Sequence, residues 1–339
     1  MKRLTWAAFV VLGAACSKVD GGASTVVLPS APSATVTSPP PPPPKPKPLV
    51  PVAGYPGAYM LALGKPTRPA FGGPLSAMMV AVADGNVYFT GDNGLWSAPR
   101  SGTAPSTLLT TGFVLSLFVD ATSVTYTSEK TLQRISRAGG PPTVLSTEHE
   151  DLIDLTGDGN SLFFSLFDGS PIRRLPYGGG TSTPVHPGIK SGALAVDETY
   201  LYVASYALST VTRVAKAGGS PMAVSAATPH PVGIVVDEKN VFVTCETDGS
   251  VRRIPKAGGA VTILARGQVN HDQPAQDDTF VYWTSGGKDM AVMRVRKDGA
   301  TPAEVVYTPL HTNPNQVAAD DQNVYVTETG GVLVLPKGR

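Results

Sequence analysis

The stretch DDTFVYWTSGGKDMAVMRVRKDGA, residues 277–300, contains two strand-like runs, each followed by a turn with glycine. The run FVYWT is rich in aromatic and β-branched residues, which favour β-strands. The run MAVMRV follows after Gly286-Gly287 and leads into Asp298-Gly299. Two such runs joined by a short glycine-containing connection predict a β-hairpin. Whether this hairpin is unique or one copy of a repeat decides the fold.

The pattern occurs seven times along the chain. Aligned on the residue that ends the first strand of each copy, the anchor positions are 83, 120, 158, 197, 237, 277 and 320. Each copy contains an apolar inner strand, an aromatic second strand, a third strand, a glycine turn and a short outer strand. A period near forty with four short strands per repeat is typical of a β-propeller. The sequence therefore predicts an all-β propeller of seven four-stranded blades, with six as the alternative if a terminal copy lies outside the ring.

The seventh copy stops at Pro336-Lys337-Gly338-Arg339, where its outer strand should begin. The segment Ala58–Gly64, before the first copy, has the outer-strand pattern. We expect it to pair with the C-terminal blade, which would remove two open sheet edges.

The N-terminal segment predicts export and anchoring. Met1-Lys2-Arg3 is positively charged, and the apolar run Leu4–Ala15 is too short to span a bilayer. Leu-Gly-Ala-Ala-Cys at 12–16 resembles a bacterial lipobox, which implies lipidation of Cys16. The alternatives are an ordinary signal peptide or a short N-terminal anchor, with Cys16 incidental.

These features predict three segments: a lipoprotein signal peptide at 1–15, a disordered Pro/Ser-rich tether at 16–56 and the propeller at 57–339. PPPPPPKPKP at 39–48 is typical of an extended spacer. We expect a monomer in the cell envelope, on the periplasmic or the outer-membrane and surface side, that meets the membrane through its lipid anchor only. Net charge is +1 and the chain has no basic block beyond KPKP, so nucleic-acid binding is not expected.

Several copies resemble a known repeat. Tyr282-Trp283-Thr284, followed by Arg294 and Asp298-Gly299, is similar to the YWTD repeat of low-density lipoprotein receptor type propellers. More widely, residues 57–339 resemble bacterial YWTD/NHL/TolB-like propeller proteins. Ser285 stands where the motif has Asp, the YWTD class has six blades, and no cysteine-rich modules flank the repeats. The resemblance implies a fold and extracytoplasmic recognition, and no reaction.

Residues that recur in every copy are expected to build the blades. The anchor aspartates 120, 158, 197, 237, 277 and 320 can accept hydrogen bonds from turn amides, and a ring of carboxylates around a metal is the alternative. The basic residues before the glycine turns are expected to form a solvated edge; they are Arg137, Lys216, Lys256, Lys297 and Lys337. Cys245 follows Phe242-Val243-Thr244 on a strand and is expected to be a buried free thiol.

The histidines follow a different pattern. All five, His149, His186, His230, His271 and His311, lie in connections between blades, at a register that drifts from copy to copy. These connections share one face of a propeller with the loops between second and third strands, which supply carboxylates including Asp168, Glu246 and Asp289. We therefore expect these eight residues to form a ligand-binding surface near the channel mouth.

Imidazole beside carboxylate suits a divalent metal such as zinc or copper, with His186, His230, His271 and His311 as candidate ligands. The same groups would make a pH-sensitive surface, and a polar face satisfied by water and backbone is the third reading. No cofactor is predicted apart from this possible metal.

Two functions remain open from the sequence. The chain lacks Gly-x-Ser-x-Gly, His-Glu-x-x-His, a phosphate-binding loop and a calcium loop. The first hypothesis is a non-enzymatic, lipid-anchored scaffold that binds an envelope protein, a glycan or a small ligand on the histidine-bearing face. The second is a metal-dependent hydrolase or lyase of the lactonase-like propeller type, with its site at the channel mouth.

Overall fold

The computed structural model describes residues 58–62, 78–91, 94–104, 106–268, 273–286, 290–309 and 314–337. Within these ranges the regular structure is entirely β-strand, arranged as seven antiparallel sheets of four strands. The seven-bladed propeller predicted from the repeat is confirmed. No helix in the described part of the chain is long and apolar enough to cross a membrane.

Each blade contains an inner, a second, a third and an outer strand. The inner strands are β2 (Val80–Ala83), β6 (Leu117–Val119), β10 (Leu152–Gly157), β14 (Ala193–Val196), β18 (Pro231–Val236), β22 (Ala275–Gln276) and β26 (Val317–Ala319). The second strands are β3 (Asn86–Gly91), β7 (Ser123–Ser128), β11 (Ser161–Leu166), β15 (Tyr200–Ser205), β19 (Asn240–Cys245), β23 (Phe280–Ser285) and β27 (Asn323–Glu328).

The third and outer strands complete the blades. The third strands are β4 (Gly94–Pro99), β8 (Thr131–Ser136), β12 (Arg173–Pro176), β16 (Thr210–Ala215), β20 (Ser250–Pro255), β24 (Ala291–Arg296) and β28 (Gly331–Pro336). The outer strands are β5 (Thr107–Thr111), β9 (Thr143–Thr147), β13 (Thr183–Pro184), β17 (Met222–Ser225), β21 (Thr262–Ala265), β25 (Glu304–Tyr307) and, for blade 7, β1 (Tyr59–Ala62).

The N-terminal strand closes the ring as predicted. β1 pairs antiparallel with β28, and Leu61 lies opposite Val332. Leu61 is 4% exposed and packs in a cluster that joins blades 7 and 1, including Trp96 and Val334. The last blade is thus assembled from both ends of the propeller, and its third strand is not left as an open edge.

The second strands carry the core between blades. Their burial runs without alternation along the strand, as in β23, where Val281 to Ser285 are all buried. Both faces of such a strand are covered, here by the neighbouring blades, which explains the continuous apolar and aromatic runs in the sequence. Tyr88, Tyr202, Phe242, Tyr282 and Tyr325 are among the fully buried side chains. Cys245 is buried and free, as expected.

The anchor aspartates cap the turns between inner and second strands, as predicted. Asp197 Oδ1 accepts the amides of Thr199 at 2.8 Å and Tyr200 at 2.7 Å. The same pair of bonds recurs at Asp120, Asp158, Asp237, Asp277 and Asp320.

The expectation of a solvated basic edge was wrong. These side chains are 13–15% exposed and reach across to the preceding blade. The anchor carboxylate is their partner in four cases, because it is already held near the junction by its turn. The contacts are Lys216–Asp158 at 2.6 Å, Lys256–Asp197 at 2.7 Å, Lys297–Asp237 at 3.4 Å, Lys337–Asp277 at 2.5 Å and, for Arg137, Asp84 at 2.6 Å.

The two remaining junctions use the same position with other chemistry. Arg100 of blade 1 bonds Asp320 of blade 7 at 2.9 Å, and the Tyr177 hydroxyl of blade 3 donates to Asp120 of blade 2. All seven junctions are therefore bridged on the face that carries the inner–second and third–outer turns, which we call the turn face. The opposite face, with the second–third loops and the connections between blades, is the loop face.

Candidate functional site

Aromatic and acidic side chains meet on the loop face between blades 4 and 5. The ring of Tyr206 stacks on that of His230, with centroids 4.6 Å apart and planes 18° from parallel. The Tyr206 hydroxyl donates to Glu246 Oε2 at 2.5 Å, and His230 Nδ1 lies 2.5 Å from Thr247 Oγ1. We call Tyr206, Ser209, His230, Glu246 and Thr247 the rim cluster.

The backbone of the rim cluster is held in an uncommon conformation. Ser209 and His230 have φ values of 54° and 46°, a left-handed region that L-residues with side chains rarely adopt. In the equivalent loop of blade 5 this position is Gly249, with φ 60°. Ser209 Oγ accepts the amide of His230 at 3.2 Å, and the His230 carbonyl accepts the amide of Glu246 at 2.9 Å. Local strain of this kind occurs preferentially at functional sites.

The hydrogen bond to Glu246 orients the hydroxyl of Tyr206 and raises the pKa of this tyrosine. The side chain of Tyr206 is nonetheless 44% exposed. The cluster thus presents an oriented aromatic surface next to a carboxylate, which suits recognition by stacking, hydrogen bonding or cation–π contact.

Tyr206 also lines the central channel. The channel forms a cavity of about 780 Å³, within the range of about 300–1,000 Å³ common for small-molecule sites. Its walls are mostly apolar. They include three large residues that are 40%, 38% and 44% exposed, which are Met78, Ile153 and Tyr206. Among the described residues that line it, Asp154 and Tyr206 are the ionisable ones.

Asp154 joins blades 3 and 4 inside the channel. Its Oδ1 accepts the amide of Leu155 and its Oδ2 that of Leu194, both at 2.8 Å. Burial raises the pKa of Asp154 to about 6 despite these bonds. The site therefore carries a carboxylate that ionises near the lower end of the physiological range.

The other predicted residues occupy separate places. His149 Nε2 and Asp168 Oδ2 are 3.0 Å apart, on exposed side chains, and bonds from Ser170 and His149 lower the pKa of Asp168. His186 Nδ1 accepts the amide of Gly188 at 3.0 Å. His149 with Asp168 and His230 with Glu246 are thus brought together as two pairs.

Four predicted positions lie outside the described residues: Cys16, His271, Asp289 and His311. Within the described ranges, no three His, Cys, Asp or Glu side chains come together as metal ligands would. The prediction of a metal site that includes His271 or His311 stays untested.

Sequence reasoning missed Tyr206 and Asp154. Tyr206 follows the aromatic strand LYVAS and has no motif of its own. For Asp154 a signal exists: it lies four residues before its anchor, as do Gln273 and Gln316 in blades 6 and 7. A polar residue that recurs at this position, within or just before an otherwise apolar inner strand, marks side chains that line the channel.

Comparison with known proteins supports the fold. No protein-family profile matches the chain, and no curated protein matches it significantly. A streptogramin B lyase structure superposes with a TM-score of 0.62 at 16% identity, covering 82% of this chain and 96% of the lyase.

Two further structures superpose comparably. A nidogen/laminin complex gives a TM-score of 0.53 at 13% identity, over 70% of this chain and 93% of the matched one. The extracellular domain of BT4673 from B. thetaiotaomicron gives a TM-score of 0.61 at 11% identity, and the match covers 84% of this chain and 40% of the BT4673 chain. At these identities the likeness concerns the fold alone: the chain is a seven-bladed β-propeller similar in architecture to proteins of varied function.

Proposed function

We propose that this protein is a lipid-anchored, extracytoplasmic binding propeller that uses its loop face, centred on the rim cluster, to hold a ligand or an envelope partner. The observation that carries the proposal is the stacked Tyr206–His230 pair with Glu246 bonded to it, at the mouth of the channel. Aromatic side chains with a polar handle are enriched where proteins bind partners.

The structural roles of the two faces support this assignment. On the turn face, anchor carboxylates and basic side chains bind each other across the junctions between blades. The rim cluster instead offers a partly exposed aromatic ring, and at Ser209 it places a residue with a side chain where blade 5 has Gly249 in the same left-handed conformation. Binding surfaces are commonly carried on loops that a rigid scaffold positions.

The anchor is proposed from the N-terminal motif. Cys16 after Leu12-Gly13-Ala14-Ala15 would carry the lipid, and residues 16–56 would act as the spacer. Incorporation of labelled palmitate that is lost in Cys16→Ser tests this part of the proposal separately from binding.

Capture from a bacterial envelope extract tests the binding function. The protein is immobilised through its C-terminus and compared with the double variant Tyr206→Ala/His230→Ala. We expect any component that the parent enriches to be reduced about tenfold or more, the loss typical of a hot-spot residue. The matched control is Glu238→Ala/Lys239→Ala, two exposed residues of the turn face. Equal capture by all three proteins, or loss in the turn-face variant alone, would overturn the assignment of the loop face.

A further inference from the structure

The channel contains a charge that its structural role does not need. The oxygen of Asp154 that accepts the amide of Leu194 ties one inner strand to the next. At two other junctions neutral amides do this work: Gln316 Oε1 accepts the amide of Val80 at 2.6 Å, and Gln273 Oε1 accepts that of Ile234 at 3.2 Å. A side chain with an amide oxygen is therefore sufficient to join the strands at this register.

An ionised carboxylate at this place costs free energy unless a cation binds next to it. No basic side chain lines the cavity among the described residues, so Asp154 has no counter-charge there. A carboxylate accepts about four hydrogen bonds, and the amides of Leu155 and Leu194 supply two. Acceptor capacity therefore remains on a side chain that is part-buried and borders the cavity.

Apolar side chains line the cavity that this carboxylate borders. A bulge in β10, where the register shifts between Leu152 and Asp154, leaves Ile153 unpaired and 38% exposed on the channel wall. Met78 and the ring of Tyr206 line the same space. Solvent-exposed apolar surface of this kind favours a ligand with an apolar body. The aromatic ring of Tyr206 favours a ligand that also carries a positive charge. Among the described residues that line the cavity, the charged group that an anionic ligand would meet is Asp154, which repels it.

We propose that the channel binds a small organic cation, an apolar molecule bearing one protonated amine, with its ammonium at Asp154 and its body against Met78, Ile153 and Tyr206. The inference rests on the proposed binding function, because Tyr206 belongs to both the rim cluster and the cavity. It names the ligand class that the loop face admits to the channel.

Three probes of one shape test the ligand class. They are 2-naphthylmethylamine, 2-naphthylmethanol and 2-naphthoate, titrated calorimetrically into the purified chain. We expect the amine to bind about tenfold to a hundredfold more tightly than the alcohol, as one added charge-assisted hydrogen bond would provide, and the carboxylate to bind most weakly. In Asp154→Asn the amine should lose this advantage while the alcohol binds as before.

The matched control is Glu150→Gln, which removes the same charge from a loop-face side chain outside the cavity and should keep the preference for the amine. A second readout needs no variant. Between about pH 8 and about pH 5 the amine stays protonated, whereas Asp154, with a pKa of about 6, gains a proton. The advantage of the amine should therefore fall with pH in the parent protein.

Equal binding of amine and alcohol, no binding of any probe, or a preference that survives Asp154→Asn would overturn the inference. Should Asp154→Asn unfold, a pH-independent preference in the parent protein would overturn it equally. These outcomes leave the capture experiment unaffected, since capture tests the rim with Tyr206→Ala/His230→Ala and the probes test Asp154.

Discussion

At the scale of single residues, each anchor aspartate performs a local and a distant task. Asp197 caps its own turn through Oδ1, while its Oδ2 accepts the hydroxyl of Tyr202 at 2.9 Å and the ammonium of Lys256 at 2.7 Å. That ammonium also lies 5.3 Å from the centroid of the Tyr202 ring. The capping bonds span two or three residues and could be predicted from the sequence. The lysine is 59 residues away, so nothing local in the chain identifies it as the partner.

Substitution of this lysine should weaken the junction between blades 4 and 5. Lys256→Met keeps the apolar stem but leaves the part-buried Asp197 without its cation, so we expect the free energy of unfolding to fall by about 1–3 kcal/mol. Urea denaturation measures the loss. Lys239→Met, an exposed lysine in the next turn, should change stability by less than about 0.5 kcal/mol. A similar effect of both substitutions would show that the inter-blade contact contributes nothing.

The candidate site was only partly predictable at this scale. The connections that carry the histidines follow from the repeat, and so does the loop face. The stacking of His230 on Tyr206 depends on how two loops of neighbouring blades approach each other. The drifting register of the histidines already indicated that they need not converge on a single ion.

At the scale of elements, the strand pattern could be predicted because each kind of strand in a blade has its own pattern of burial. The second strands have two covered faces and appear in the sequence as continuous apolar runs, whereas in β16 Val211 and Val214 are buried and the other residues are partly exposed. The closing strand β1 was predictable because the seventh copy of the repeat lacks an outer strand of its own. The bulges in β10 and β18 were not, because no glycine marks the extra residue in β10.

Removal of the closing strand should open the ring. A chain lacking residues 1–62 leaves β28 as an edge and removes Leu61 from its cluster with Trp96, Val332 and Val334. We expect a lower midpoint of thermal unfolding and faster hydrogen exchange in β26, β27 and β28 than in the other blades. A chain lacking only residues 1–44 keeps β1 and serves as the control. Unchanged exchange in blade 7 of the longer deletion would contradict the closing role of β1.

At the scale of the whole molecule, the junctions form a ring in which each blade is linked to the next by at least one ionic or phenolic contact. The links share a chemistry, so one solution variable should act on most of them together. Burial by itself raises the pKa of the anchor carboxyls, but bonds from the next blade's basic or tyrosine side chain and from the turn amides outweigh it. The result is a pKa of about 2 for Asp120, Asp197 and Asp277.

Acid should therefore destabilise the ring as a unit. In the unfolded chain these carboxyls titrate near pH 3.9, above their folded values, so protons bind preferentially to the unfolded state. The stabilisation is fully present above about pH 4 and is lost as the pH falls toward about 2. We expect the free energy of unfolding, measured with urea at a series of pH values, to fall steeply in this interval.

The variant Asp277→Asn identifies the source of that loss. It should be less stable than the parent at neutral pH, because Lys337 and Tyr282 lose a charged acceptor. It should also lose about 1–2 kcal/mol less than the parent on acidification, since one low-pKa carboxyl has been removed. The two curves must converge toward pH 2 if the junction carboxylates cause the acid sensitivity. Curves that remain parallel below pH 4 would place the origin of the acid sensitivity in other groups.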